Sequence, residues 1–492
     1  MQSASKTAIK TALVLFLLLL VISILKSPYA ASLWLDELLS DWISADGVGA
    51  AWRRALEFQA SSPAYFLFLA LWKTIAGSSE VILRLPSLVC FLVSCYFLFN
   101  LARKLFDLEV AVVSLICLLA IDPVMSAAIS ARPYAAALMF GLVSFDALVE
   151  WDKTGKAGSA HRWLWASVLM FYCHYLSLTV FLVQAFYIYR TRPDGPARKG
   201  YNHALRLFLL LLPGLYHMLL IKGRSALYGS DFVFEPLKFI GIIFPPYLAI
   251  ALVFAILCGA IAERSWFGLP ENRKAVRCII VWAMLPALML FLISLVSGRS
   301  ILLDRYALWG YPGLAILAAL LLRSLNLPAA RTLALVVLGC FLMVRVLDKR
   351  WRVEDWRGAV SEAQSLGGVP LLVNTGLVEG RSVEWLRDPA RREYLLAPLV
   401  RYGKLEGAWP LPFSQAVLGG EDYLKSINLA KSASPIAVSA LCLPVKGADC
   451  SENYFKGLGL RLVESKKFGL VERRRWGAAL SDGASGPVGA AE

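Results

Sequence analysis

Asp36 and Glu37 stand side by side in the stretch LWLDELLSDW (33–42), with Asp41 close behind and Trp34 and Trp42 flanking them. A carboxylate pair can take a proton from a hydroxyl as a general base, or hold a divalent cation through its oxygens. It can equally be the polar face of a surface helix anchored by tryptophans at a membrane interface. On spacing alone the plainer reading leads, and Asp41 reads as a solvated helix residue. Isolated arginines form a second set: Arg132 lies in ARPYA with Tyr134 beside it, and Arg299 and Arg305 bracket SILLD. A guanidinium can grip a phosphate through two parallel N–H bonds. It can also snorkel to an interface or be neutralised by a neighbour such as Asp304. His174 falls at the join of two apolar runs, where an ionisable residue is a functional candidate, although the turn reads more simply as exposing it. Asp146 reads as interfacial.

The elements that must position these groups are membrane spans. Of 492 residues, 58% are hydrophobic and only 17% charged, with a mean hydropathy of +0.62. A soluble domain carries about a quarter charged residues, so the composition points to a mainly α, polytopic helical membrane protein. The net charge of +15 fits cytoplasmic loops facing anionic lipid and gives no reason to invoke nucleic acid. Apolar runs lie near 9–25, 63–76, 84–102, 108–121, 132–149, 162–173, 175–189, 204–221, 238–262, 277–296, 305–322 and 330–347. The first has Lys6 and Lys10 before it and no A-x-A-like cleavage site after it, as in a retained signal anchor.

If every run crossed, Arg103 and Lys104 would fall outside, against the cytoplasmic bias of basic loops. Placing the short run 63–76 on the outer face as a juxtamembrane helix removes the conflict. The reading is then about eleven spans, with 190–206, 264–277 and 323–331 inside. The external set is the loop 26–83, the turn 129–135, the loops 222–236 and 297–306, and the chain after Trp351. The expected division is a transmembrane domain over 1–350, a small extracytoplasmic α/β domain over 351–476 and a Gly/Ala/Ser-rich disordered tail over 477–492. In the α/β domain VPLLVNTG, PIAVSALCLPV and LRLVESKKFGLVERRRW read as strands and 355–367 as a helix. No C-x-x-C occurs; Cys442 and Cys450 sit in the polar domain and could pair in an oxidising compartment.

In their order, several segments resemble one family. A first span is followed by WLDE, then SSPAYFLFLALW, GSSEVILRLPSLV, ARKLFD, ARPYAAAL, HYLSLTVFLVQ, RYALWGYPGLAILAA and EDWRGAV. The set resembles the GT-C superfamily of membrane glycosyltransferases, within it the dolichyl-phosphate-mannose protein mannosyltransferase and lipid A aminoarabinose transferase-like group, over residues 9–360. Two departures stand out: Ser61-Ser62-Pro63 replaces a His-Pro-Pro segment, and Ser130 stands where many relatives carry an acid, the nearest acid upstream being Asp122.

The resemblance implies an enzyme, a family 39-like hexosyl- or pentosyltransferase of the bacterial inner membrane. A sugar on a polyprenyl phosphate would pass, with inversion, to an acceptor hydroxyl on a glycolipid, polysaccharide or protein at the outer face. Asp36 matches the catalytic Asp, Glu37 would support it or help hold a cation, and Arg132, Arg299 and Arg305 are the candidates for the donor phosphate, with Tyr134 and His174 as further candidates. Metal dependence stays open, because the second acid is missing. The alternative class is a transporter or flippase of lipid-linked saccharides, which would need ionisable residues and broken helices at the membrane midplane.

Overall fold

The computed structural model describes residues 2–478, apart from 59–61, 192–194, 222–234, 247, most of 251–271, 326–327, 349–352, 367–368, 428–436, 446–447, 449 and 451. The expected tail from 479 and most of the loop 222–236 lie outside the described residues. Two compact units emerge. One joins Met1–Ala30 to Ile43–Trp351, and the other joins Ala31–Trp42 to Arg352–Glu492. The segment around Asp36 thus groups with the C-terminal residues, whereas the sequence reading kept the whole of 26–83 with the membrane domain.

The first unit is helical. Among the described residues, Ile9–Lys26, Glu80–Leu105, Tyr134–Thr154, Tyr201–Ile221 and Arg273–Ser297 are long and apolar enough to cross a membrane. At about 1.5 Å per residue, Glu80–Leu105 is about 39 Å long, more than the hydrocarbon thickness of about 30 Å. Ser79 caps its start, the side chain accepting the Ile82 N–H. The run 108–121 is bent: Leu108–Leu119 meets Asp122–Ala128 at 79°, where Pro123 cannot supply the N–H that would continue the helix. The run 175–189 divides into a 3-10 turn, Tyr175–Leu178, an α-helix, Thr179–Phe186, and a π-helical turn, Tyr187–Thr191. Much of 238–262 lies outside the described residues. By length and composition, five helices among the described residues, or six with the bent pair, stand beside the expected eleven for the whole chain. Ala64–Ala76, thirteen residues and so short for a crossing, ends at Gly77, whose φ of 93° favours glycine.

Charge sorts to the two ends of this unit. At the start of Glu80–Leu105, Arg84 donates to the carbonyls of Pro28 and Tyr29 at 3.1 and 2.8 Å. At its far end Lys104 pairs with Asp146 and Glu150, each at 2.9 Å, and Arg162 lies 3.5 Å from Asp146. Arg323 and Arg331 join Glu109 at 3.2 and 3.4 Å. Lys104, Arg162, Arg323 and Arg331 were all expected on one side of the membrane. Asp146 is buried at 2% exposure, and its two cationic partners offset the cost of burying its charge.

The second unit contains a five-stranded mixed sheet in the order β2-β1-β3-β5-β4. The strands are β1 (Leu371–Asn374), β2 (Ala408–Pro410), β3 (Val438–Cys442), β4 (Leu460–Phe468) and β5 (Val471–Ala478). β1 runs parallel to β2 and β3, while β5 is antiparallel to β3 and β4. Helix Trp356–Ser365 is capped by Asp355, whose side chain accepts the Gly358 N–H. Cys442 and Cys450 are joined as a disulfide.

Candidate functional site

In the helical unit the sequence-derived candidates converge on His174. Its ring centre lies 5.2 Å from Tyr134, 5.3 Å from Trp309 and 5.9 Å from Tyr306. Arg132 sits over the Tyr134 ring at 5.7 Å and Arg305 over Tyr306 at 5.4 Å. Local chemistry builds each arm. The Arg132 N–H closes a turn on the Ser130 carbonyl at 2.7 Å, and Pro133, with φ fixed near −67°, starts the helix that carries Tyr134. Arg305 and Trp309 ride on two 3-10 turns, Asp304–Tyr306 and Leu308–Gly310. Trp309 is held by its own carbonyl, which accepts the Trp282 Nε1–H at 2.8 Å. A Cβ at Gly313 would come within 2.8 Å of the Ala283 nitrogen, so glycine there permits the close helix approach that seats this turn.

The cluster is cationic and aromatic, with Arg132, Tyr134 and Trp309 buried and His174, Arg305 and Tyr306 half-buried. Arg132 is 8% exposed and Trp309 2%. The indole Nε1–H of Trp309 and Nδ1 of His174 have no hydrogen-bond partner among the described residues. Two guanidiniums and an indole donor together suit an anion such as a phosphate. His174, read as an exposed turn histidine, is instead packed among rings. Sequence reasoning missed Trp309, although it follows Arg305 within RYALWGYP. The contacts above do not include Arg299, which lies in the turn after Arg273–Ser297 with its N–H on Ser297 Oγ at 3.3 Å.

The two departures from the family pattern have structural partners here. Ser62 is fully buried and its hydroxyl donates to the Tyr172 carbonyl. Ser130 donates to the Ser126 carbonyl at 2.6 Å, and its own carbonyl accepts from Ser87 Oγ at 2.5 Å. Asp122 is paired with Arg345.

In the second unit the helix Leu35–Ile43 presents Asp36 in its first turn, half-buried. Glu37 is fully buried and its Oε2 accepts the Trp34 N–H at 3.2 Å, the reach-back of a capping box. Asp41 is not solvated: it is 8% exposed and pairs with Arg401 at 3.5 Å. Trp42 is no interfacial anchor either, since it is buried against Tyr394 at 5.6 Å with its Nε1–H toward Glu393 at 3.4 Å. The donor set fits a divalent cation poorly. Glu37 commits an oxygen to the helix start, and no group of three or more His, Cys, Asp or Glu among the described residues could hold a metal ion.

Comparisons with known proteins give the following likenesses. Residues 60–217 match the family described as dolichyl-phosphate-mannose-protein mannosyltransferase. No curated protein matches the chain by sequence. Among solved structures the chain is similar to ArnT from Cupriavidus metallidurans in the apo state, with a TM-score of 0.55 and 12% identity over 95% of this chain and 99% of that one. It is similarly close to ArnT from the same organism bound to undecaprenyl phosphate, with a TM-score of 0.55, 13% identity and the same coverage. The likeness covers 95% of the chain, which therefore shares the fold of these structures.

Proposed function

We propose that this chain, a membrane protein of GT-C fold carrying the mannosyltransferase family match over 60–217, is a glycosyltransferase. It moves a sugar from a polyprenyl phosphate to an acceptor hydroxyl at the outer face of the inner membrane, with inversion. The observation that carries this reading is the cluster in which Tyr134, Tyr306 and Trp309 surround the His174 ring and Arg132 and Arg305 lie over the two tyrosines. That is the chemistry a lipid-linked phosphate needs, and one of the structures of like fold is bound to undecaprenyl phosphate.

In the reaction we infer, the Asp36 carboxylate takes the proton of the acceptor hydroxyl. The acceptor oxygen bonds to the anomeric carbon from the face opposite the leaving group. The bond from that carbon to the phosphate oxygen breaks, and its electron pair leaves with the polyprenyl phosphate. Negative charge grows on the phosphate as the bond breaks, and fixed donors aimed at it lower the barrier. Arg132, Arg305 and the Trp309 indole N–H are those donors, and Tyr134 and Tyr306 pack the guanidiniums in place. Glu37 caps the helix that presents Asp36.

Reconstituted protein supplied with a polyprenyl-phosphate sugar labelled in the sugar, and with an envelope glycan extract, should give labelled glycan and free polyprenyl phosphate. Movement of intact lipid-linked sugar across the liposome with no covalent product would replace this reading with that of a flippase.

A further inference from the structure

The helix that presents Asp36 is held by residues from the far end of the chain, and one of them is a buried carboxylate. We infer that Glu354 is a positioning residue of the transfer site: it fixes the first turn of Leu35–Ile43, and with it Asp36, making the C-terminal unit part of the catalytic apparatus. The inference rests on the reading of Asp36 as the base.

Glu354 is 1% exposed, and its Oε2 accepts the Leu35 N–H at 2.9 Å and the Trp356 Nε1–H at 3.1 Å. Leu35 immediately precedes Asp36 and lies 319 residues from Glu354. The opening N–H groups of a helix have no partner within it, and a negative charge is favoured there. Here three successive donors each find a side-chain oxygen: Leu33 N–H on Tyr402 Oη at 2.8 Å, Trp34 N–H on Glu37 Oε2, and Leu35 N–H on Glu354 Oε2. Only Glu37 comes from the helix itself; the other two come from the C-terminal residues of the same unit.

Glu354 is in turn fixed to the sheet. Its backbone bridges to Gly469, in the turn between β4 and β5. The Leu470 N–H donates to the Val353 carbonyl at 2.9 Å and the Asp355 N–H to the Phe468 carbonyl at 3.3 Å. Gly469 has φ of 60°, and a Cβ there would stand 2.2 Å from the Val353 oxygen, so only glycine allows this approach. A continuous path of hydrogen bonds therefore runs from the β4–β5 turn through Glu354 to the residue before Asp36. A buried carboxylate is costly unless donors offset it, and both of these N–H groups converge on Oε2. Sites held in this way keep a reacting group in register, and a displacement of about 1 Å can cost about 100-fold in rate.

The test uses the full-length protein with Glu354→Leu, Glu354→Gln and Trp356→Phe. Two readouts are taken: the KM-against-kcat split for the lipid-linked donor, and amide hydrogen exchange over residues 33–42. Glu354→Leu should lower kcat about 100-fold with donor KM unchanged, and should speed exchange at Leu35 and its neighbours. Glu354→Gln, which keeps an accepting oxygen, should recover most of both. Wild-type kcat or unchanged exchange in Glu354→Leu would overturn the inference. If Glu354→Leu fails to fold, Trp356→Phe decides: removing the donor that orients Glu354 should lower kcat several-fold at constant donor KM, and no change counts against the inference. A wild-type protein that transfers no sugar defeats the functional reading instead, and the exchange data still decide whether Glu354 holds the helix.

Discussion

The indole ring of Trp309 lies 5.3 Å from the imidazole of His174, and each ring carries a nitrogen that finds no hydrogen-bond partner among the described residues. Arg132 and Arg305 lie over the tyrosines that flank His174, and in the proposed reading this cluster meets the donor phosphate.

Trp309→Phe keeps the aromatic packing and removes only the N–H. Its cost should appear in binding, raising the donor KM about 10-fold, the loss of about 1.4 kcal/mol. The melting temperature should stay near that of the wild type. Steady-state kinetics with a thermal scan of the same sample separates the two. A variant that loses stability and leaves KM alone would return Trp309 to a structural role.

Lys104→Ala leaves the buried Asp146 carboxylate with Arg162 at 3.5 Å as its remaining cationic partner on this face. Breaking a buried ion pair from one side costs about 3–5 kcal/mol, and the surviving arginine puts the expected loss near the lower figure. Thermal unfolding in detergent should show it. Lys104→Ala combined with Asp146→Asn should recover part of the loss, because no uncompensated charge then remains buried.

Acid should weaken the C-terminal unit. Lys466, hydrogen-bonded to Glu362 at 2.6 Å, and Arg473 beside it hold the Glu362 carboxyl below its usual 4.5, and Arg474 does the same for Glu472. A carboxyl whose folded value is lowered stabilises the fold above its unfolded value, and that contribution is lost as pH falls through the folded one. Intrinsic tryptophan fluorescence, with Trp476 buried in β5, should therefore show a stability loss beginning below about pH 4.5. Glu362→Gln should flatten that dependence, and salt should weaken it in the wild type because Glu362 and Lys466 are partly exposed.

Some of this was legible in the sequence and some was not, for physical reasons. Helices such as Glu80–Leu105 show themselves by unbroken apolar length, and Ala64–Ala76 by being too short before Gly77. The basic loops show themselves by residue type, but their acid partners, Asp146 and Glu150 for Lys104 and Glu109 for Arg323 and Arg331, are tertiary. Arg132, Tyr134, His174 and Arg305 could be named from residue type, but their convergence is tertiary. Asp41 and Trp42 were misread because their partners, Arg401, Glu393 and Tyr394, lie hundreds of residues away and leave no local pattern. Glu354 was hidden for the same reason. β2, three residues ending in Pro410, is too short to alternate visibly.

The central claim is that Asp36 takes the proton from the acceptor. The most direct measurement compares wild type, Asp36→Asn and Asp36→Glu for transfer of a labelled sugar from a polyprenyl phosphate, with donor binding measured on the same preparations. The account predicts donor binding near wild type in all three, transfer reduced at least about 100-fold in Asp36→Asn, and partial transfer in Asp36→Glu. Asp36→Asn transferring at the wild-type rate would contradict it.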